Sequence, residues 1–284
     1  MIVIVESGAT KSDWRVLSPD GRELKRFTRG GTNVSTMRLE DIKATLADAI
    51  TSENLSGADG FYLYTAGVVT PEISAFLTSF LKEHSADVDI QNDLMGAARA
   101  VCGHMPGIAA IIGTGSNTCF YDGTSVSQKV YSGGYIIGDD GSAAALGKLF
   151  LADFIKGLVP SEIASEFARE FDASYAAIVQ GVYRSPSPSA YLGSLAPFIL
   201  KRYDRPYIKF LVDRNFQAFI DRSLIRYDTP DYPVGIVGGF GWACREIIAT
   251  LCADSGVRIS RFLPAPIDGL CEYHSRLHNP WVER

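Results

Sequence analysis

The chain has 284 residues, 46% of them hydrophobic and 21% charged, and a net charge of −5. That length exceeds one comfortable core and fits two domains of ordinary size. An acidic surface offers no broad cationic field to a phosphate backbone, so nucleic acid is not an expected partner. The charge of any anionic ligand must be met locally, by amides, a lysine or two and a metal ion.

In chain order, Ile2–Val5 is β-branched on both faces and predicts a strand buried on both sides of a sheet. Ser7-Gly8-Ala9-Thr10 is a turn of small residues. A second strand follows near Trp14–Leu17, Pro19-Asp20-Gly21 forms a hairpin turn, and a third strand at Glu23–Phe27 closes on Gly30-Gly31. Apolar residues at Leu39, Ile42, Leu46 and Ile50 predict a helix over 39–51. Phe61–Tyr64 is a strand, and Pro71 opens a helix running to about His84. Val88–Gln91 is a short strand ending at Asn92-Asp93, and a helix starts near Leu94.

The layout then recurs. Ile108–Ile112 is an apolar strand, Gly113-Thr114-Gly115-Ser116 a small turn, Thr118–Tyr121 a strand, Asp122-Gly123 a turn, and Ser127–Tyr131 a strand closing on Gly133-Gly134. This is a duplication at a period of roughly 105 residues, too long for a solenoid repeat. It predicts two related domains, 1–105 and 106–284, joined near Gly103–Gly107, with the last helix able to return to the first. From Gly141 the chain reads as helices over 143–156, 161–183, 189–203 and 208–225. A last strand at Val234–Val237 runs into Gly238-Gly239, and a helix follows near Cys244–Cys252.

The five cysteines are scattered without a C-x-x-C pair, and the four histidines lack ligand spacing. That argues against a disulfide framework or a zinc site and for a reducing compartment. The N-terminus lacks a signal-peptide pattern, and no apolar run approaches the roughly 20 residues of a membrane span, so a cytoplasmic protein is expected.

Five motifs could carry chemistry. Glu6-Ser7-Gly8-Ala9-Thr10-Lys11-Ser12 lets backbone amides approach a phosphate, but an ordinary hairpin would have the same turn. Glu6 adds weight: a carboxylate ending a buried strand needs a partner, and a hydrated metal ion is one. Gly113–Asn117 repeats the turn at the equivalent place, so the two could grip a polyphosphate across a cleft. Asp93 ends a strand and opens a helix; by itself that position favours a helix cap, while a functional aspartate there would point into a cleft at the carboxyl edge of the sheet. Gly138-Asp139-Asp140-Gly141-Ser142 also opens a helix, where paired acids often serve as caps and dipole partners. Gly238-Gly239 lets a flat ring, or simply a neighbouring helix, come close. Neither a P-loop nor a Rossmann fingerprint is present.

In this order the motifs resemble the actin, heat-shock chaperone and sugar-kinase superfamily. The set NDLMGA, GTGSN and GDDGSA is closest to N-acetylglucosamine kinase and is similar to the BadF/BadG-type ATPases that include it. The resemblance implies an α/β fold of two actin-like (ribonuclease H-like) domains, with mixed sheets flanked by helices and a cleft between them. It implies ATP-dependent phosphorylation of an amino-sugar hydroxyl with Mg²⁺. Asp93 matches the catalytic aspartate. Thr10, Lys11 and Thr114 match phosphate contacts, and Gly238 and Gly239 the adenosine motif. Asn33, Ser116, Asn117, Gly134 and Asp139 match sugar contacts, and Glu6 would meet the metal through water. A small-molecule sugar is the implied partner, and a homodimer is left open. The alternatives are an ATPase that activates a partner enzyme and a nucleotide or sugar sensor without turnover. The chain departs from the family at Ser7 and Ala9, where glycines are usual, at Glu6 for the commoner aspartate, and at Gly133, where relatives often carry a tryptophan that walls the sugar.

Overall fold

The computed structural model describes residues 1–8, 11–67 and 69–278. The chain divides into two compact units. Unit 1 comprises Met1–Pro106, Tyr121–Val126 and Ala265–Arg284, and unit 2 comprises Gly107–Phe120 and Ser127–Pro264.

Unit 1 begins β1 (Ile2–Ser7), β2 (Lys11–Leu17), β3 (Glu23–Gly30), α1 (Leu39–Ser52), β4 (Ala58–Thr65), α2 (Pro71–Leu81), β5 (Ser85–Asn92) and α3 (Asp93–Cys102). Its sheet has the order β3-β2-β1-β4-β5. The first three strands form an antiparallel meander, whereas β1, β4 and β5 run parallel. Val3, Val5, Trp14, Phe61 and Leu63 fill the core between this sheet and helices α1 and α2. The run IVIV of β1 is buried on both faces, as its lack of polar alternation requires.

Unit 2 contributes β6 (Gly107–Ile112), β7 (Ser116–Tyr121), β8 (Val126–Val130), α4 (Gly134–Ile137), α5 (Ala143–Phe154), α6 (Ser161–Glu170), α7 (Tyr175–Tyr183), α8 (Pro188–Gly193), α9 (Ala196–Leu200), α10 (Pro206–Arg222), β9 (Val234–Val237), α11 (Gly239–Ala243), α12 (Arg245–Asp254) and β10 (Ile259–Leu263). Its sheet order is β10-β9-β6-β7-β8, the order of the first sheet with each strand replaced by its repeat. The duplication read from turn spacing is therefore a duplication of topology. Phe150, Phe167 and Phe198 meet edge to face, at ring separations of 5.1–5.8 Å, and centre a large helical core.

The last helix, α13 (Ile267–His278), belongs to unit 1 and packs on α3. There His274 stacks on Tyr62 at 3.8 Å and its Nε2 hydrogen-bonds the Tyr64 hydroxyl at 2.9 Å.

Several helices differ from the expected ones. The segment over 161–183 is two helices, because Phe171 turns extended into the core and Ser174 caps α7 through the Ala177 N–H. The segment over 189–203 divides into α8 and α9. The helix expected at Cys244–Cys252 is preceded by a separate turn, α11. Strand β10 was not expected from the sequence, and the last helix, expected to return to the first domain, had no residue bounds there. β10 is half-exposed throughout, so neither alternation nor a buried run marks it.

Candidate active site

In unit 1 the parallel register brings Ser7 of β1 beside Thr65 of β4, and Thr65 beside Asn92 of β5. The residues that follow these strands therefore leave from one carboxyl edge, the edge where α/β sheets bind ligands. Asp93 begins α3 there. The cap of α3 is Asn92, whose Oδ1 accepts the Met95 N–H at 2.9 Å. Asp93 is the first helical residue and not the cap, a role that falls to Asn92.

Glu6 pairs across the antiparallel hairpin with Asp13. Burial pushes its carboxyl up to about 7; the Asp13 and Asp93 carboxylates add to the shift, and Lys11 opposes it. Lys11 Nζ lies 2.9 Å from Asp13 Oδ1. Three carboxyl groups and one ammonium thus share a partly desolvated edge; without a cation Glu6 keeps its proton, and its ionised form would need a cation beside it. Among the described residues no cluster of three or more His, Cys, Asp or Glu side chains could hold a metal directly. The edge suits a cation that keeps its waters and takes other ligands from phosphates, the habit of Mg²⁺.

Ser7, where the family resemblance leads to glycine being expected, is buried and structural. Its Oγ accepts the Thr32 N–H at 2.7 Å and the Thr32 hydroxyl at 2.8 Å. Thr32 precedes Asn33, which bridges to Ala66 beyond β4 and whose Oδ1 accepts the Ser35 N–H at 2.9 Å. The serine ties the first turn to the segment bearing Asn33. Gly8 is not in the left-handed region, and an added Cβ would come no nearer than 3.6 Å to Lys11 O. The loss of flanking glycines therefore costs this turn no positive-φ geometry at Gly8. Thr10 and Ala9 lie outside the described residues.

In unit 2 the turn after β6 and the turn after β9 leave the sheet side by side, Ile111 being paired with Val237. Gly238 has φ 124°, and a Cβ there would lie 2.5 Å from Ile112 O; only glycine fits between the two strand ends. Gly239 has open space instead. A groove of about 550 Å³ opens here, with Gly113 and Thr114 on one side, Gly239 and Phe240 on another, and Gly193, Ala196 and Pro197 of the α8–α9 corner on a third. Small residues on every wall leave a slot suited to a flat ring.

The acidic turn after α4 packs against the second small turn. A Cβ on Gly115 would meet Asp139 Oδ2 at 2.8 Å, so the carboxylate rests on the Gly115 backbone. Ser116 donates its hydroxyl to Asp140 O at 2.8 Å. Burial raises the Asp139 carboxyl, while hydrogen bonds from Ser116 and Ser132 and the charge of Lys148 pull it back. Asn215, buried in α10, holds the same turn from behind, its Oδ1 accepting Gly141 N–H and its Nδ2 donating to Ser142 O.

The structure thus brings Glu6, Lys11 and Asp93 together in unit 1, with Asn33 tied to the same turn through Ser7 and Thr32. In unit 2 it brings Thr114 and Gly239 together on the groove, with Gly238 beneath them. Ser116, Asn117 and Asp139 lie apart from that groove: Ser116 and Asn117 open β7, and Ser116 and Asp139 hydrogen-bond each other. Gly134 begins α4. Asp13, Asn215 and Lys148 were missed from sequence, and Ser7 was read there only as part of the turn and a departure from its glycines. Asp13 was legible, because a hairpin closing at Ser7 and Ser12 must set residue 6 opposite residue 13; the others depend on partners far along the chain.

No protein-family model matches the chain, and no curated protein sequence matches it. Solved structures do. A candidate N-acetylglucosamine kinase from Porphyromonas gingivalis is 35% identical, with a TM-score of 0.90 over 98% of this chain and all of that one. A candidate N-acetylglucosamine kinase from Chromobacterium violaceum superposes at TM-score 0.73 with 19% identity, covering 96% of this chain and 98% of that one. A ROK-family glucokinase from Streptomyces griseus, solved with glucose and AMPPNP, superposes at 0.54 with 15% identity, covering 96% and 97%. The last two establish a shared fold. The duplicated mixed sheets, each with its turn at the carboxyl edge, define an actin-like sugar kinase, a phosphotransferase. Within that class the chain belongs to the N-acetylglucosamine kinase family. Among the described residues no helix is long and apolar enough to cross a membrane.

Proposed function

We propose that the protein transfers the γ-phosphoryl group of ATP to a hydroxyl of an amino sugar, N-acetylglucosamine or a close relative. The observation that carries this reading is the Asp93 edge: Asn92 caps the helix, and the Asp93 carboxylate acts on Glu6 at the carboxyl end of a parallel sheet. Asp93 orients the acceptor hydroxyl and takes its proton, help worth about 10²–10⁴-fold. Lys11, Thr10 and Thr114 are the proposed phosphate contacts, and Gly238 and Gly239 floor the adenosine slot. Asn33, Ser116, Asn117, Gly134 and Asp139 hold the sugar. Glu6 would hold Mg²⁺ through water; when bound, the ion neutralises charge on the phosphates. Most of the acceleration comes from fixed geometry and charge. The full-length likeness at 35% identity supports the substrate class.

The test is ADP release measured across acetylated and free amino sugars, neutral hexoses and sugar acids, with wild type and Asp93→Asn. Turnover restricted to amino sugars, abolished in Asp93→Asn with ATP affinity kept, supports the reading. ATP consumed equally without sugar points instead to an ATPase that serves a partner enzyme, and ATP bound but never consumed points to a sensor. Near-normal phosphorylation by Asp93→Asn removes Asp93 from its role.

A further inference from the structure

The α4 half of the turn bearing Gly134 and Asp139 has little local support. Helix α4 is four residues long, far too short to be stable by itself. Gly133, Gly134, Asp139 and Gly141 all have positive φ, between 53° and 78°. Ile136 and Ile137 are 70% and 77% exposed, so burial of their side chains holds little. Its near half is closed by two backbone hydrogen bonds, Gly138 N–H to Gly134 O at 2.8 Å and Asp139 N–H to Ser132 O at 3.0 Å, whereas Ser142 N–H, Ser116, Asn215 and Arg222 hold only the far half, Asp139–Ser142. The last carbonyls of any helix have no partner within it.

Lys148 meets those carbonyls. Its Nζ donates to Tyr135 O at 3.0 Å and to Ile136 O at 3.4 Å. It stands on α5, a helix capped by Ser142 and buried along its first five residues, Ala143–Gly147. Its stem runs along an apolar groove of about 400 Å³ lined by Tyr135, Leu151, Ala152 and Ile178, so that only the ammonium reaches the turn. A cation at a helix C-terminus also meets the negative end of the backbone dipole.

We propose that Lys148 is a positioning residue for sugar binding, pinning the turn so that Gly134 and Asp139 are held where the sugar is met. The inference rests on the reading that these two residues contact the sugar.

The test uses Lys148→Met (K148M), which keeps the stem's length and packing, and Lys148→Arg (K148R), which keeps a cationic donor. K148M is expected to raise KM for the sugar about ten-fold, with kcat and KM for ATP within about two-fold of wild type. Without any ligand, exchange of the Gly138 and Asp139 amides should quicken about ten-fold or more in K148M and recover in K148R. Unchanged amide protection in K148M, or equal loss in K148M and K148R, overturns the assignment. If wild type phosphorylates no sugar, the proposed function fails, while the exchange measurement still decides whether Lys148 holds the turn.

Discussion

Glu6 makes the stability of the ligand-free protein depend on pH in a definite direction. An unfolded glutamate titrates at 4.5, and Glu6 in the folded chain at about 7. Between those values the native state keeps a proton that the unfolded chain has released. Stability therefore falls as pH rises through this window, and the penalty is complete above it. A gap of that size amounts to roughly 3 kcal/mol. Glu6→Gln carries the neutral form permanently and should remove the penalty. In EDTA, without nucleotide, the variant should gain roughly 3 kcal/mol over wild type near pH 8.5 and only about 1 kcal/mol near pH 5.5. Urea midpoints at the two pH values measure the difference, compared as midpoints because a two-unit chain need not unfold in one step. A gain of equal size at both pH values, or a loss at both, would refute the argument that Glu6 is held neutral by burial and its acidic neighbours.

Three further outcomes are expected. Asn92→Ala removes the cap of α3 and should cost about 1 kcal/mol in thermal melting, with kcat reduced far less than in Asp93→Asn. Ser7→Ala leaves the buried Thr32 N–H without its acceptor and should cost about 1–3 kcal/mol, and a wild-type melting curve would dismiss that tie. Gly238→Ala sets a Cβ 2.5 Å from Ile112 O at φ 124° and should cost more than about 2 kcal/mol, whereas Gly239→Ala, with open space around it, should melt like wild type and weaken nucleotide binding, as read by calorimetry.

What the sequence determined by itself was whatever neighbouring residues control. Small turns after β-branched strands marked β1 and β6. Asp-Gly turns marked the meanders, and the spacing of both marked the duplication that the two sheet orders share. Glu6, Lys11, Asp93, Thr114 and Gly239 were legible because each sits at a strand end or in the turn beyond it, a place defined within a few residues of chain. The tertiary structure decided the rest. Helical periodicity runs through the break at Phe171 because the pull that bends the chain there comes from a core to which Phe198, 27 residues on, contributes. Ser7 looks like a blemish in a glycine loop until Thr32, 25 residues on, folds over it. Asn215 reaches the acidic turn from a helix 74 residues on whose own sequence carries no sign of it, and Lys148 meets α4 from the next helix, since a hydrogen bond between elements leaves no local pattern. Turns and strand ends follow from the chain's covalent order, whereas the side chains that brace a site are chosen by packing, which brings together residues far apart along the chain.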